Sequence, residues 1–215
     1  MLDKHEWRKK EKSVYLPKTK PEVITIPEFK FITIEGEGSP TNSLFTLKIG
    51  ALYSLAYTIK MMTKKMETKP ERYFDFTVYP LEGVWDINDE AKSKFDGNVN
   101  KEDFKYKLMI RQPDFVDKNI YTQMLEIAKE KNNNPLLEQL NFETVCEGLC
   151  VQMLHLGPFE EEPASFEKME KFAENVRLVR LSKTHKEIYL SDTRKVSSKK
   201  FKTVLRFQVR STQNA

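Results

Sequence analysis

The sequence is short of the residues that most readily announce a site. In 215 residues it holds two cysteines, three histidines and seven glycines. Cys146 and Cys150 flank "EGL", which reads as a tight turn carrying two small core or turn residues. A zinc site needs more ligands at compact spacing, and His5, His155 and His185 do not supply them, so no metal is expected. An intracellular chain also keeps its thiols reduced, which argues against a disulfide. There is no G-x-S-x-G, H-E-x-x-H or Walker sequence, so those hydrolase and nucleotide classes are excluded. "GEGSP" follows a strand but lacks the phosphate-loop lysine and reads as a turn, and no cofactor is expected.

Long apolar runs are absent too. None approaches membrane-spanning length, and "MLDKHEWRKKEKSVY" is too polar for a secretory signal. No membrane association and a cytoplasmic location are the expectations. Net charge is only +4, with basic residues crowded into the first twenty positions and into "TRKVSSKKFK". No helix-turn-helix or aromatic-basic RNA motif accompanies them. Residues 1–20 are therefore expected to be a loose, solvated basic arm, with no direct nucleic-acid partner.

What is present is a chain that reads as written twice, in one domain over 21–215. "EVITIPEFKFITIEGEG" and "FETVCEGLCVQMLHLGPFEEE" each read as strand, tight turn, strand, Gly and a polar helix start. A helical stripe follows each: Leu44, Leu47, Ala51, Leu55, Ile59, Met62 and Met66 in the first half, and Phe166, Met169, Ala173 and Val176 in the second. Then comes an alternating strand, "YFDFTVY" or "KEIYLSD", and a closing strand, "YKLMIRQP" or "KTVLRFQV". The fold class is α+β, with antiparallel sheets and helices on one face. The repeats cover about 21–131 and 140–210, and the first continues into a helix over about Val116–Lys131 before "NNNP" breaks it.

Aligning the alternating strands sets Asp75 opposite Glu187, Thr77 opposite Tyr189 and Tyr79 opposite Ser191. In "HKEIYLSD" Glu187, Tyr189 and Ser191 share one face and Ile188 and Leu190 the other. A pseudo-twofold pair of such strands would line a shared ligand cleft. The first half has an extra stretch, "PLEGVWDINDEAKSKFDGNVNKEDF", apolar from Leu81 to Trp85 and then a polar loop. Its Trp85 either plugs the core edge or lids the cleft.

The aromatic and acidic residues left for chemistry are Glu187, Tyr189, Tyr79, Glu82 and Trp85, with Tyr53 and Tyr57 one turn apart beside the first helix stripe. His155, before a Gly-Pro turn, either joins a pocket or fills a strand end. A carboxylate among rings attracts a planar cation, or serves as general base on a water. The plain alternative for Glu187 is an exposed residue paired with a nearby lysine.

Seven stretches, "KPEVITIPEFKFITIEGEGSPTN", "LYSLAYTIKMM", "VYPLEGVW", "LMIRQPDFV", "EGLCVQMLHLGPFEEEP", "HKEIYLSD" and "KTVLRFQV", resemble in order the GyrI-like small-molecule-binding family. They run from about Lys20 to Val209. The resemblance implies a duplicated strand-helix-strand-strand fold with a ligand cleft between the halves. It implies that Glu187 is the pocket glutamate, and that Tyr79, Glu82 and Trp85 form its aromatic and acidic wall. Because about twenty residues precede the matched region, the chain is similar to the stand-alone members, some of which hydrolyse cyclopropane-bearing DNA alkylators. The expected partner is a small hydrophobic or aromatic ligand. The alternative the resemblance implies is a non-catalytic drug sensor or a gyrase-inhibitor-like module with a protein partner. The chain departs from the family pattern in carrying Asp86, Lys186 and Phe159 where an aromatic, a histidine and a tyrosine are usual.

Overall fold

The strands pair chiefly antiparallel and the helices carry apolar stripes, so the protein is α+β, as the sequence predicts. The computed structural model describes residues 4–94 and 99–212. Its helices and strands run α1 (Trp7–Lys10), α2 (Lys12–Tyr15), β1 (Glu22–Glu37), α3 (Ser43–Lys65), β2 (Leu81–Ile87), α4 (Asp89–Ser93), β3 (Phe104–Gln112), α5 (Lys118–Lys131), β4 (Asn141–Leu156), α6 (Glu162–Asn175), β5 (Leu178–Arg180), β6 (His185–Tyr189) and β7 (Lys202–Ser211). They fall into two units. The first comprises Met1–Trp7, Phe29–Leu81 and Asp86–Val145, and the second Arg8–Glu28, Glu82–Trp85 and Cys146–Ala215.

In the first unit, β1 pairs with β3 from Lys30↔Gln112 to Glu37↔Lys105. Gly36 lets the Tyr106 ring lie directly on the β1 backbone, where a Cβ would sit 2.6 Å from Tyr106 Oη. The side chain of Asn42 accepts from Leu44 N and caps α3, as N-cap asparagine commonly does. Ala51, Leu52, Leu55, Ala56 and Ile59 form the buried stripe of α3, while Leu44 and Leu47, expected in that stripe, are exposed. Helix α5 starts at Lys118 directly after its Asp117 cap, whose side chain accepts from Ile120 N, close to its expected place.

The stretch "YFDFTVY" corrects the sequence reading. It is not a strand: among the described residues its only ladder contact is one parallel bridge, Phe76 to His5. Its backbone is satisfied instead by His5, whose N–H donates to Asp75 O at 2.7 Å and whose carbonyl accepts from Thr77 N at 2.9 Å. Tyr73, Phe74 and Phe76 turn into an aromatic cluster around Phe115, with ring centroids 5.2 to 6.0 Å from it. Alternation here reflects ring packing rather than pleating. Asp75 is held by Lys64 at 2.8 Å and matches no strand position of Glu187.

In the second unit, β7 is central. It pairs with β4 through Cys150–Leu156, with β6 through Lys186–Tyr189, and with β5 near its far end. Strand β6 pairs in turn with Glu82–Trp85 of β2. The supposed extra stretch is thus a strand as far as Ile87, followed by α4, and the loop expected beyond it takes in residues 95–98, outside the described residues. Helix α6 lays Met169 and Ala173 on Val151, Met153, Leu205, Phe207 and Val209. Burying side chains of this size is worth about 1.5–3 kcal/mol each.

Two more expectations change. "EVITIPEFKFITIEGEG" and the second-half equivalent are each one strand of 16 residues rather than two strands and a turn. At "EGL" the strand continues through Gly148 with φ +65°, a conformation glycine adopts without strain. Nor is the basic arm loose. Tyr15 is buried, and in the second unit the Ser13, Val14 and Lys18 carbonyls accept from Gln152, Arg206 and Leu154.

Candidate functional site

The register of β6 between β2 and β7 sorts its side chains onto two sides of the second unit. Gly83 stands opposite Glu187 and Trp85 opposite His185, while Lys186 faces Val84 and Arg206. With period-2 alternation, His185, Glu187, Tyr189 and Trp85 share the side with Leu205 and Met153, which α6 covers. Lys186, Ile188, Glu82, Arg206 and Gln152 share the other. All three central residues of β6 are buried, so Glu187 is not the exposed, lysine-paired residue of the plain alternative.

The α6 side holds a chain of hydrogen bonds. Trp85 Nε1 donates to Tyr189 Oη at 2.7 Å. An indole N–H can only donate, so the tyrosine oxygen accepts and its own proton is free for Glu187, with which it is hydrogen-bonded. His185 Nε2 lies 3.2 Å from Glu187 Oε1. Glu162, in the first turn of α6, is also hydrogen-bonded to Glu187. Burial, and then the charge of Glu187 beside it, push the Glu162 carboxyl up to about 10. Two carboxyls buried together keep one proton because like charges cannot both ionise there. Glu162 Oε1 is itself buried without a hydrogen-bond partner. Burial first, and then Glu187, raise the Tyr189 hydroxyl well above its ordinary range.

Rings surround this chain. Phe166 of α6 meets His185 at 4.6 Å between centroids, and Phe159 meets Tyr189 edge-on at 6.1 Å and Phe201 at 5.3 Å. Next to them, His155 is buried, with Nδ1 2.9 Å from Ser165 Oγ and Nε2 3.1 Å from the Pro158 carbonyl.

The opposite side is a buried ion network. Lys186 Nζ lies 3.0 Å from Glu82 and 2.8 Å from Glu147. Arg206 reaches Glu147 at 3.1 Å, and its Nη2 donates to Gln152 Oε1 at 2.9 Å. Gln152 donates onward to Glu22 at 2.9 Å. Burial alone would push Glu147 up, but Lys186 and Arg206 hold it below the usual carboxylate range. Burial would likewise lower Lys186, but Glu82 and Glu147 keep it raised and charged.

Of the residues singled out from the sequence, Glu187, Tyr189, Trp85 and His155 come together on the α6 side, and Glu82 stands on the other, paired with Lys186. Tyr79, Tyr53 and Tyr57 belong to the first unit. There Tyr79 is buried with the Arg111 guanidinium 4.6 Å from its ring, Tyr53 and Tyr57 stack loosely at 6.2 Å, and Tyr57 is exposed. Sequence reasoning missed Glu162, whose signal was hidden in the acidic run "EEEP". It also missed Lys186 and Arg206, for which "HKEIY" offered a cue in a lysine set among strand-core residues. Among the described residues no group of His, Cys, Asp and Glu is arranged to hold a metal ion, and no helix is long and apolar enough to cross a membrane.

The model of the GyrI-like small molecule binding domain matches residues 19–210. The chain belongs to the GyrI-like family. An uncharacterized conserved protein from Listeria innocua is 37% identical over 96% of this chain and 100% of its own, with a TM-score of 0.85. A hydrolase from Listeria innocua is 36% identical over the same shares, also with a TM-score of 0.85. The EcmrR C-terminal domain, 13% identical over 90% of this chain and 98% of its own, has a TM-score of 0.54 and shares the fold. No curated protein is similar enough to count as a relative. In this GyrI-like chain the positions where the sequence departs from the family pattern have clear occupants: Lys186 bridges Glu82 and Glu147, Phe159 packs on Tyr189, and Asp86 pairs with Lys92 at 2.7 Å.

Proposed function

We propose that this GyrI-like protein captures planar hydrophobic or cationic compounds in the cytoplasm and hydrolyses those that carry an electrophilic cyclopropane, protecting the cell from them. The observation that carries the reading is the buried Glu187 set among Trp85, Tyr189 and His185. The hydrolase relative from Listeria innocua supports the catalytic part. Glu187 is the general base. It takes a proton from a water as the water oxygen bonds to the ring carbon, and the ring C–C bond breaks with its electron pair moving onto the activating group of the substrate. Trp85 and Tyr189 hold the flat arene, and His155 and Glu82 fix the strands that carry them. Strain in the three-membered ring supplies much of the driving force, and a positioned base contributes about 10²–10⁴ in rate.

The test is incubation with a cyclopropane-bearing alkylator and detection of the water adduct by mass spectrometry. Glu187→Gln should retain binding and lose turnover by about 10²–10⁴. Absence of any adduct above background, with binding intact, would make the protein a binder alone.

A further inference from the structure

Several chain segments of the second unit meet at one end of its sheet. Strand β4 ends there at Leu156 and β7 begins there at Lys202, the two paired across the ladder. Strand β6 ends there at Tyr189, and Leu190 N–H donates to the Lys202 carbonyl at 3.0 Å. Arg8 of α1 closes on the same place, donating from Nη2 to the Leu190 carbonyl at 3.3 Å. The turn after β4 is tied in as well, since Gly157 N–H donates to the Phe201 carbonyl at 3.1 Å. This end shows apolar side chains to solvent. Leu156, 52% exposed, is the most exposed large apolar residue among those described, and Phe159 and Val196 are each 37% exposed. It also carries cations. The segment 190–201 holds Arg194, Lys195, Lys199 and Lys200, all exposed, against Asp192, which Arg194 and Lys195 approach at 2.9 and 3.6 Å. Glu160 and Glu161, in the turn that starts at Phe159, add negative charge, but with Arg8 and Lys202 the cations stay in excess.

We propose that this end of the second unit is a peripheral docking face for an anionic lipid surface. Leu156, Phe159 and Val196 enter the boundary between headgroups and acyl chains, and the lysines and arginines around them meet the negative headgroups. Lysine suits this role, because its long stem lies along apolar material while its ammonium stays in water. The same cations would attract nucleic acid, but two of the three exposed apolar side chains are aliphatic and give a base no face to stack on. Attachment of this kind needs no spanning helix. Phe159 is also the ring that meets Tyr189 edge-on at 6.1 Å, so the docked face adjoins the Glu187 side of the strands. The protein then stands where hydrophobic compounds concentrate before they reach the cell interior. That consequence rests on the small-molecule reading, whereas the docking itself does not.

Flotation of the full chain with lipid vesicles tests the face, using phosphatidylcholine alone or phosphatidylcholine with about one-quarter phosphatidylserine. The protein should rise with the anionic vesicles and stay behind with the neutral ones, and added salt should release it. Lys199→Gln combined with Lys200→Gln should weaken vesicle binding by roughly tenfold or more. Leu156→Ser, which leaves every charge in place, should weaken it by roughly tenfold. Val196→Ser, outside the ladder, gives the same reading should Leu156→Ser disturb the strand end. No binding to the anionic vesicles, or equal binding by the parent and these variants, overturns the proposal. Tighter binding to duplex DNA than to the vesicles, unaffected by Leu156→Ser, overturns it in favour of a nucleic-acid surface. The assay contains no small molecule, so its failure leaves the small-molecule reading standing.

Discussion

The indole nitrogen of Trp85 donates to the hydroxyl of Tyr189 at 2.7 Å across 104 residues of chain. The bond fixes the direction of the next one, because the tyrosine proton then points to Glu187. Trp85→Phe keeps most of the apolar volume and removes the donor. It should lower stability by about 1–3 kcal/mol, the cost of a buried acceptor left unmade. Chemical denaturation followed by circular dichroism measures this, and a midpoint equal to the parent's would show that the bond contributes nothing.

Glu162 gives a pH signature of definite sign. Its folded-state carboxyl titrates near 10, whereas an unfolded glutamate ionises near about 4.3. Between these values the unfolded chain has lost a proton that the folded one keeps. Stability from this group is therefore full below the lower value and falls as pH rises toward the upper one. Glu162→Gln removes the loss. Thermal unfolding should show the variant gaining on the parent from about pH 5 to about pH 9, by a few kcal/mol in order of magnitude.

Lys186 predicts the opposite kind of effect. Lys186→Met strands the Glu82 and Glu147 carboxylates in a buried place. Removing one partner of a buried pair typically costs about 3–5 kcal/mol. Adding Glu82→Gln to the variant should recover part of it, since one of the stranded charges is then gone. A double-mutant cycle by urea unfolding reads the coupling, and simple additivity would mean that the two residues do not interact.

Glu147 adds an acid limb to the same profile. Its carboxyl is held low by Lys186 and Arg206 against the burial that would raise it. Stability from a lowered carboxyl is present above the unfolded value and is lost as pH falls through the folded one. Glu147→Gln should therefore weaken the protein most near neutrality and least in acid, as thermal melts across pH would show.

Gly36→Ala tests packing in the first unit. The new Cβ would sit 2.6 Å from Tyr106 Oη, on a ring that is itself buried. Overpacking of this kind costs about 1–3 kcal/mol. Pairing it with Tyr106→Leu should relieve most of the cost, and a variant as stable as the parent would mean that the ring moves aside freely.

Helix α3, strand β7 and the face carrying Glu187 and Tyr189 were legible in the sequence because a single element's periodicity records what it buries. Partners were less legible, since alternation looks the same in any strand and in some loops. "YFDFTVY" alternates because its rings meet Phe115, and "LEGVWDI" hides its alternation because both sides of β2 are covered. The two long strands looked broken because Pro27 and Gly148 are turn residues in isolation, yet each is absorbed without ending the strand. Glu162 and Lys186 were missed for a common reason. A charged residue reads as solvated until its partners are known, and those partners, Glu187 for Glu162 and Glu147 and Glu82 for Lys186, lie 25 to 104 residues away in sequence.

The pairing of β2 with β6 also sets a clock on biosynthesis. At about 5–20 residues per second, a ribosome that has just made Trp85 needs roughly 5–20 s more before Tyr189 exists. Through that interval the nascent chain carries a strand whose hydrogen-bonding edge and indole have no complement. The wait exceeds the time most single domains take to fold, so the tempo of translation, rather than the search for the native arrangement, governs when the chain around Glu187 first closes.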